Sequence, residues 1–244
     1  MTHVAHPYVQ RVGIIRDWKS RWFTTDPKQY REYIRVDAAI RKFLEKRLKG
    51  MSVDTVEIER NQKMVRIIIK TARPGLVIGR SGEGSVKPHQ EIDMLFRKAG
   101  LISKPEIKLD IEEIRTPESS ANIVGQMIAE GLEKRMTFRR VMKQTIEKVM
   151  ASRDVQGVRI KLSGRLGGAD MARIEELKKG RIPLQTLRAD IDFARVTARL
   201  PYGAIGIKVW IYKGDIFGDR KAGQEATPAR GEARESAPRA PRNR

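Results

Sequence analysis

Apolar positions recur along the chain at two periods, and the switches between them divide it into elements. Residues 1–25 are mixed, with Trp18, Trp22 and Phe23 as candidate aromatic anchors. Asp26-Pro27 reads as a helix start, an N-cap carboxylate followed by proline at the first helical position. Beyond it, Tyr33, Val36, Ile40, Phe43, Leu44 and Leu48 share one helical face, while Arg31, Arg35, Lys42, Lys46 and Lys49 fall toward the other. Asp37 offers a second start, so two short helices are the alternative to one, and Gly50 is a natural stop. The period then changes to two. Val56 and Ile58 alternate with glutamates, Val65, Ile67 and Ile69 with cations, and Asn61-Gln62-Lys63 joins the two strands.

Gly79-Arg80-Ser81-Gly82 follows a short apolar turn. A helix is expected from about Ser85 to Ala99, with Pro88 in its first turn, where N–H groups lack intrahelical acceptors. Ile107, Leu109 and Ile111 mark another strand after Pro105. Thr116-Pro117 reads as the cap and first residue of a helix, and as a domain boundary. Two helices are expected over 118–135 and 137–151. Strands then follow at Val158–Leu162, Ile191–Phe193 and Ile205–Ile211, with 169–179 ambiguous between helix and strand. The order is ααββααβ, then ααβ and a meander, which makes the fold class α+β. The units are an extension (1–25), a first domain (26–115) with a three-stranded sheet, and a second domain (116–218) with two helices on a mainly antiparallel sheet. Residues 219–244 form a basic tail that contains no large apolar residue and cannot bury enough surface to order itself.

Composition narrows the partner. The 244 residues carry 50 Lys and Arg against 30 Asp and Glu, a net charge of +20. The tail, with seven basic and four acidic residues, holds only +3, which leaves +17 on residues 1–218. Such an excess points to a polyanion, either nucleic acid or an anionic membrane surface. Aromatics are 6% of the chain, so contacts should rest on phosphates more than on base stacking. No apolar run approaches the ~20 residues of a membrane span, and the first residues lack the apolar stretch of a secretory signal. With no cysteine there is no disulfide scaffold, Cys-based zinc site or Cys nucleophile.

The chemistry lies in two basic features. Gly79, Arg80, Ser81 and Gly82 form a GxxG loop between a strand pair and an amphipathic helix. Glycine lets a backbone approach a sugar-phosphate chain, and Arg80 adds a fixed charge. The order helix, strand, strand, short helix, GxxG, helix, strand matches a prokaryotic-type KH module, whose loop clamps about four nucleotides of a single strand. Two further GxxG strings, Gly164–Gly167 and Gly203–Gly206, sit between strands and read as turns. The P-loop alternative fails on spacing and on Arg80 where lysine belongs. The second feature is the 137–151 helix, where Arg139, Arg140 and Lys143 share one arc and Phe138, Met142, Thr145, Ile146 and Val149 another; Arg135 extends the basic side one turn earlier. A solvated helix face is the competing reading.

Other candidates carry less. His3, His6 and His89 lack companions for a metal site or a catalytic triad. Asp190 and Asp192, two residues apart on a strand, could hold magnesium for a nuclease; the competing reading is salt bridges to Arg188 and Arg195. The residues alone therefore leave two readings, a free KH-type RNA-binding factor and a magnesium nuclease; a third, a ribosomal RNA-binding component, comes from a resemblance.

Several strings together resemble bacterial small-subunit ribosomal protein three: TARPGLVIGRSGEG, EKRMTFRRVMK, KLSGRLGGADMAR, GRIPLQTLRADID and YGAIGIKVWIYKGDIFG. His6-Pro7, Arg11, Gly13 and Trp18–Phe23 match as well, so the resemblance runs from about His6 to Gly218. It implies a KH domain followed by a family-specific α+β domain in the head of the small subunit, binding 16S-type ribosomal RNA and lining the path by which messenger RNA enters. It also implies contacts with small-subunit proteins ten and fourteen, a cytoplasmic location, no cofactor, no metal, no membrane partner and no catalysis. Carried over, Arg139, Arg140 and Lys143 help to open structured messenger RNA. This chain departs from the family in Ser81, where lysine is common, and in Gly84 and Pro88, which predict a longer or irregular junction before the helix.

Overall fold

The computed structural model describes residues 6–61, 63–79, 82–98 and 106–217. Helix α1 spans Pro7–Arg11 and strand β1 Ser20–Arg21. Helix α2 (Pro27–Arg47) starts as expected, with the Asp26 carboxylate accepting from the Lys28 amide at 2.9 Å. It is one helix. Asp37 does not restart the chain because its carboxylate is taken by tertiary partners, the Arg60 guanidinium and the Trp22 indole N–H, each at 2.8 Å.

Val36, Ile40 and Leu44 of α2 pack on strands β2 (Val53–Arg60) and β3 (Met64–Thr71), which are antiparallel. Helices α3 (Pro74–Ile78) and α4 (Glu83–Lys98) add Val77, Ile92 and Phe96. Strand β4 (Glu106–Glu113) runs parallel to β3. Each fully buried aliphatic side chain contributes roughly 1.5–3 kcal/mol, more than a typical hydrogen bond, so this apolar layer decides the fold. The sheet has four strands rather than three, because β1 of the N-terminal extension pairs parallel to β2. Arg41 of α2 fixes β1 in place, donating to Val56 O, Lys19 O and Ser20 Oγ at 2.5–2.9 Å. Of the three expected aromatic anchors only Trp22 serves; Trp18 and Phe23 are exposed.

Thr116-Pro117 opens a single 3₁₀ turn instead of a helix, since the Thr116 hydroxyl is held by Ser119 at 3.1 Å. The cap is Ser120, and helix α5 runs Ala121–Glu133, followed by α6 (Phe138–Ala151). Both lie on one face of a wholly antiparallel sheet, ordered β6 (Arg173–Gly180), β5 (Gly157–Gly164), β8 (Gly203–Asp215), β7 (Ala189–Leu200). The ambiguous 169–179 segment is strand from Arg173 onward, where β5 offers it a ladder from Gly157↔Gly180 to Gly164↔Arg173. Gly164 ends β5 before a 3₁₀ turn, as expected; Gly203–Gly206 instead starts β8.

The N-terminal extension binds both halves. Arg11 is fully buried, and its guanidinium donates to four backbone carbonyls: Ala189 at 2.6 Å, Pro7 and Thr186 at 2.9 Å, and Leu184 at 3.0 Å. Burial pushes its pKa below the usual arginine value. Arg16 pairs with Asp190 at 2.6 Å. On the other side of the same segment, Arg21 reaches Glu57 at 2.6 Å and Glu59 at 3.1 Å. The direct contact between the two sheets' domains is thinner and polar. Asn122 and Gln126 of α5 donate to the Val53 carbonyl at 3.2 and 2.7 Å, and the Ser120 hydroxyl to Asp54 at 2.5 Å.

Two outcomes follow from these contacts. Arg11→Lys keeps the charge but not the five-donor fork, so urea unfolding should show a loss of about 2–3 kcal/mol; a change within roughly 0.5 kcal/mol would assign Arg11 to the surface class of residues. Asp54 has its pKa raised, first by burial and then by the charge of Asp192. Its ionised form therefore costs stability above the folded pKa, and that cost disappears as pH falls toward the ordinary carboxyl value. Asp54→Asn, which keeps an acceptor for Ser120, should melt higher than the parent at pH 7, and the gap should close in acid. A gap independent of pH would show that ionisation of Asp54 is not the cause.

Candidate nucleic-acid interface

The glycine loop sits where α3 hands the chain to α4. Gly79 and Gly82 have φ of +70° and +78°, the left-handed region that disfavours a side chain. Arg80 and Ser81 lie outside the described residues. Gly84 is required by contact rather than by φ, because a Cβ there would meet the Val77 carbonyl oxygen at 2.4 Å and that of Ile78 at 2.7 Å. The missing side chain lets α4 start directly against α3. Where the sequence predicts a longer or irregular junction before the helix, α4 begins at Glu83 and continues through Pro88, so that proline lies beyond the first turn. Lacking an N–H, Pro88 leaves the Gly84 carbonyl without its helical donor.

Helix α6 keeps its two arcs apart. Val141, Met142, Thr145, Ile146 and Val149 are buried against α5 and the sheet, and Phe138 is half-buried. Arg139, Arg140 and Lys143 are exposed. Arg139 makes only a long ion pair, 3.8 Å to Glu175, and lies over the Phe138 ring at 5.6 Å. Arg135 is on the same side of the sequence but not on the helix. It occupies the turn after α5 at φ +60°, where its own N–H donates to Leu132 O and that of Met136 to Gly131 O. That pair of bonds closes the helix end in the manner usually given to glycine.

The two candidate magnesium ligands have separate structural roles. Asp190 holds Arg16, and Asp192 accepts from the amides of Ala121 and Phe193 at 2.8 and 3.0 Å, at the start of α5. The expected pairs with Arg188 and Arg195 do not form among the described residues, because the carboxylates are taken by these partners and Arg188 pairs with Asp215 at 3.3 Å. His6 stacks edge-on against Phe193 at 4.6 Å, with its pKa pushed down by burial and by Arg195. The His89 ring nitrogen Nε2 sits 3.0 Å from the Ile107 carbonyl. His3 lies outside the described residues. No helix among the described residues is long and apolar enough to cross a membrane.

A KH-domain family model matches residues 39–119, and the model for the ribosomal protein S3 C-terminal domain matches residues 128–211. The small ribosomal subunit protein uS3 of Caldicellulosiruptor bescii is 46% identical over 225 residues, covering 92% of this chain and 98% of that protein. This chain belongs to the uS3 family. The uS3 of Alcanivorax borkumensis is 44% identical over 92% of the chain and 94% of its own length. That of Streptococcus gordonii is 43% identical over 91% and 97%. As a uS3 protein the chain is a structural component of the small ribosomal subunit that binds ribosomal RNA and carries a KH domain.

Arg135 gives a direct test of how this surface is built. A non-glycine residue in the left-handed region costs about 1–2 kcal/mol, so Arg135→Gly should stabilise the isolated uS3 protein by about 1 kcal/mol in chemical unfolding. A destabilised variant would show that the arginine side chain supports the fold.

Proposed function

We propose that this uS3 protein, in the cytoplasmic ribosome, guides messenger RNA at its entrance to the small subunit and helps to open structured message. The observation that carries the proposal is the division of α6. Its apolar arc is spent on the core, while Arg139, Arg140 and Lys143 stand exposed on the other arc. Arg135, exposed in the turn after α5, adds a further cation upstream of the helix. These cations neutralise phosphates on a strand that passes the helix, and their attraction is the same for any sequence. The chain contains no nucleotide-binding motif to power unwinding. It acts instead by trapping strands that open thermally, or by straining a duplex drawn past it.

The KH loop is the second RNA contact in this reading. Gly79 and Gly82 bring backbone close to a single strand, and Arg80 supplies charge. The family resemblance also supports neighbours among the small-subunit proteins, namely proteins ten and fourteen.

Replacing Arg139, Arg140 and Lys143 by Ala should leave the core packed and subunit assembly intact. Translation of unstructured messages should continue at nearly the parental rate, with added stalling at a stable hairpin placed ahead of the ribosome. Equal slowing on both messages would indicate a general assembly role, and normal passage through the hairpin would reduce the basic arc to a solvated face.

A further inference from the structure

The two sheets of this protein treat their open faces in opposite ways. On the KH sheet, the face away from the helices neutralises itself. Arg21 pairs with Glu57 and Glu59, Arg66 with Glu59 and Asp110, and Lys70 with Glu57 and Glu112. On the C-terminal sheet, strand register sets Arg195 of β7 directly opposite Lys208 of β8, and Lys208 directly opposite Lys161 of β5. The neighbours Ala194, Ile207, Val209, Ile160 and Leu162 pack toward α5 and α6, so the three cations point to the opposite face. None of the three makes an ion pair among the described residues. The row's next position, Glu176 of β6, is already held by Arg159 at 2.7 Å.

Like charges directly opposite across strands destabilise a sheet. Three in a row, about 4.8 Å apart between strands, are a standing repulsion that an external anion relieves. The adjacent row leaves space for that anion to approach. It consists of Thr197, Gly206 and Ser163, small residues in register on the same face. The platform is bounded on its other side by Phe193 and Trp210, which carry the N-terminal extension through His6.

We propose that the open face of the C-terminal sheet is a separate phosphate-binding platform for ribosomal RNA, with Arg195, Lys208 and Lys161 contacting successive phosphates across the strands. It rests on the RNA-binding role of the protein and is independent of α6 and of the KH loop. A run of RNA backbone fits better than an acidic protein segment, because the three cations stand at the regular spacing of neighbouring strands and the row beside them, Thr197, Gly206 and Ser163, has no pocket for side chains.

The test uses the full chain with Lys161→Gln, Arg195→Gln and Lys208→Gln combined, and a small-subunit ribosomal RNA transcript titrated over a series of KCl concentrations. Loss of three phosphate contacts should make the dependence of log affinity on log salt shallower by about 2. The same variant should unfold at an equal or higher temperature than its parent, since the repulsion is gone. An unchanged slope overturns the platform, and so does a shallower slope that comes with lost stability. A parent that shows no salt dependence overturns the RNA-binding premise instead. The chain has no native cysteine, so Lys208→Cys can also carry a photo-crosslinker into reconstituted subunits. Crosslinks to RNA support the platform, and crosslinks only to a protein neighbour overturn it.

Discussion

A buried guanidinium anchors the N-terminal extension to the C-terminal half of this protein. Arg11 enters the C-terminal domain without a carboxylate in hydrogen-bonding range and is satisfied by four carbonyls drawn from α1 and from the 184–189 segment. A charge removed from water must have such a cage, because an unpartnered one costs several kcal/mol. The cage can form only if the extension lies along β7, and that path sets the position of everything after it. Five residues on, Arg16 meets Asp190; after that the chain pairs as β1 with the KH sheet. The relative placement of the KH loop, α6 and the basic sheet face thus depends on a segment of about fifteen residues that has no core of its own.

Charge is distributed to match. The excess of +20 is not a uniform coat. Where the KH sheet faces outward, acids and bases alternate closely enough to cancel. On α6 the cations stand exposed, Arg139 with only a long ion pair, and on the open face of the second sheet Arg195, Lys208 and Lys161 stand in register. A protein that assembles on RNA gains from this arrangement, since self-neutralised surfaces contribute nothing to counterion release and unpaired rows contribute fully.

Local signals were legible in the chain. Asp26-Pro27 announces α2 because capping uses atoms within one turn, and the two arcs of α6 follow from a period that needs no tertiary partner. The misread positions are those where another partner, distant or only a few residues on, competes for the polar group. Asp37 reads as a cap but belongs to Arg60 and Trp22. Thr116 reads as a cap but loses its hydroxyl to Ser119, so Ser120 takes the role. Asp190 and Asp192 read as a strand face salt-bridged to Arg188 and Arg195, with a metal pair as the alternative; the partners are instead Arg16 and the α5 amides. Nothing along the chain singles out Lys161, Arg195 and Lys208 as a group. Only the register of three strands separated in sequence makes them a row, and no periodicity along the chain contains that information.

The central claim is that the N-terminal extension holds the two domains in one fixed relation. Because the chain lacks cysteine, spin labels can be placed at Lys46→Cys on α2 and Lys148→Cys on α6, both exposed positions. Pulsed dipolar measurement of the distance between them should give one narrow distribution in the otherwise unaltered protein. It should broaden when Arg11 and Arg16 are both replaced by Ala, while each domain keeps its secondary structure. A broad distribution in the unaltered protein, or a narrow one that survives the double replacement, would contradict the account.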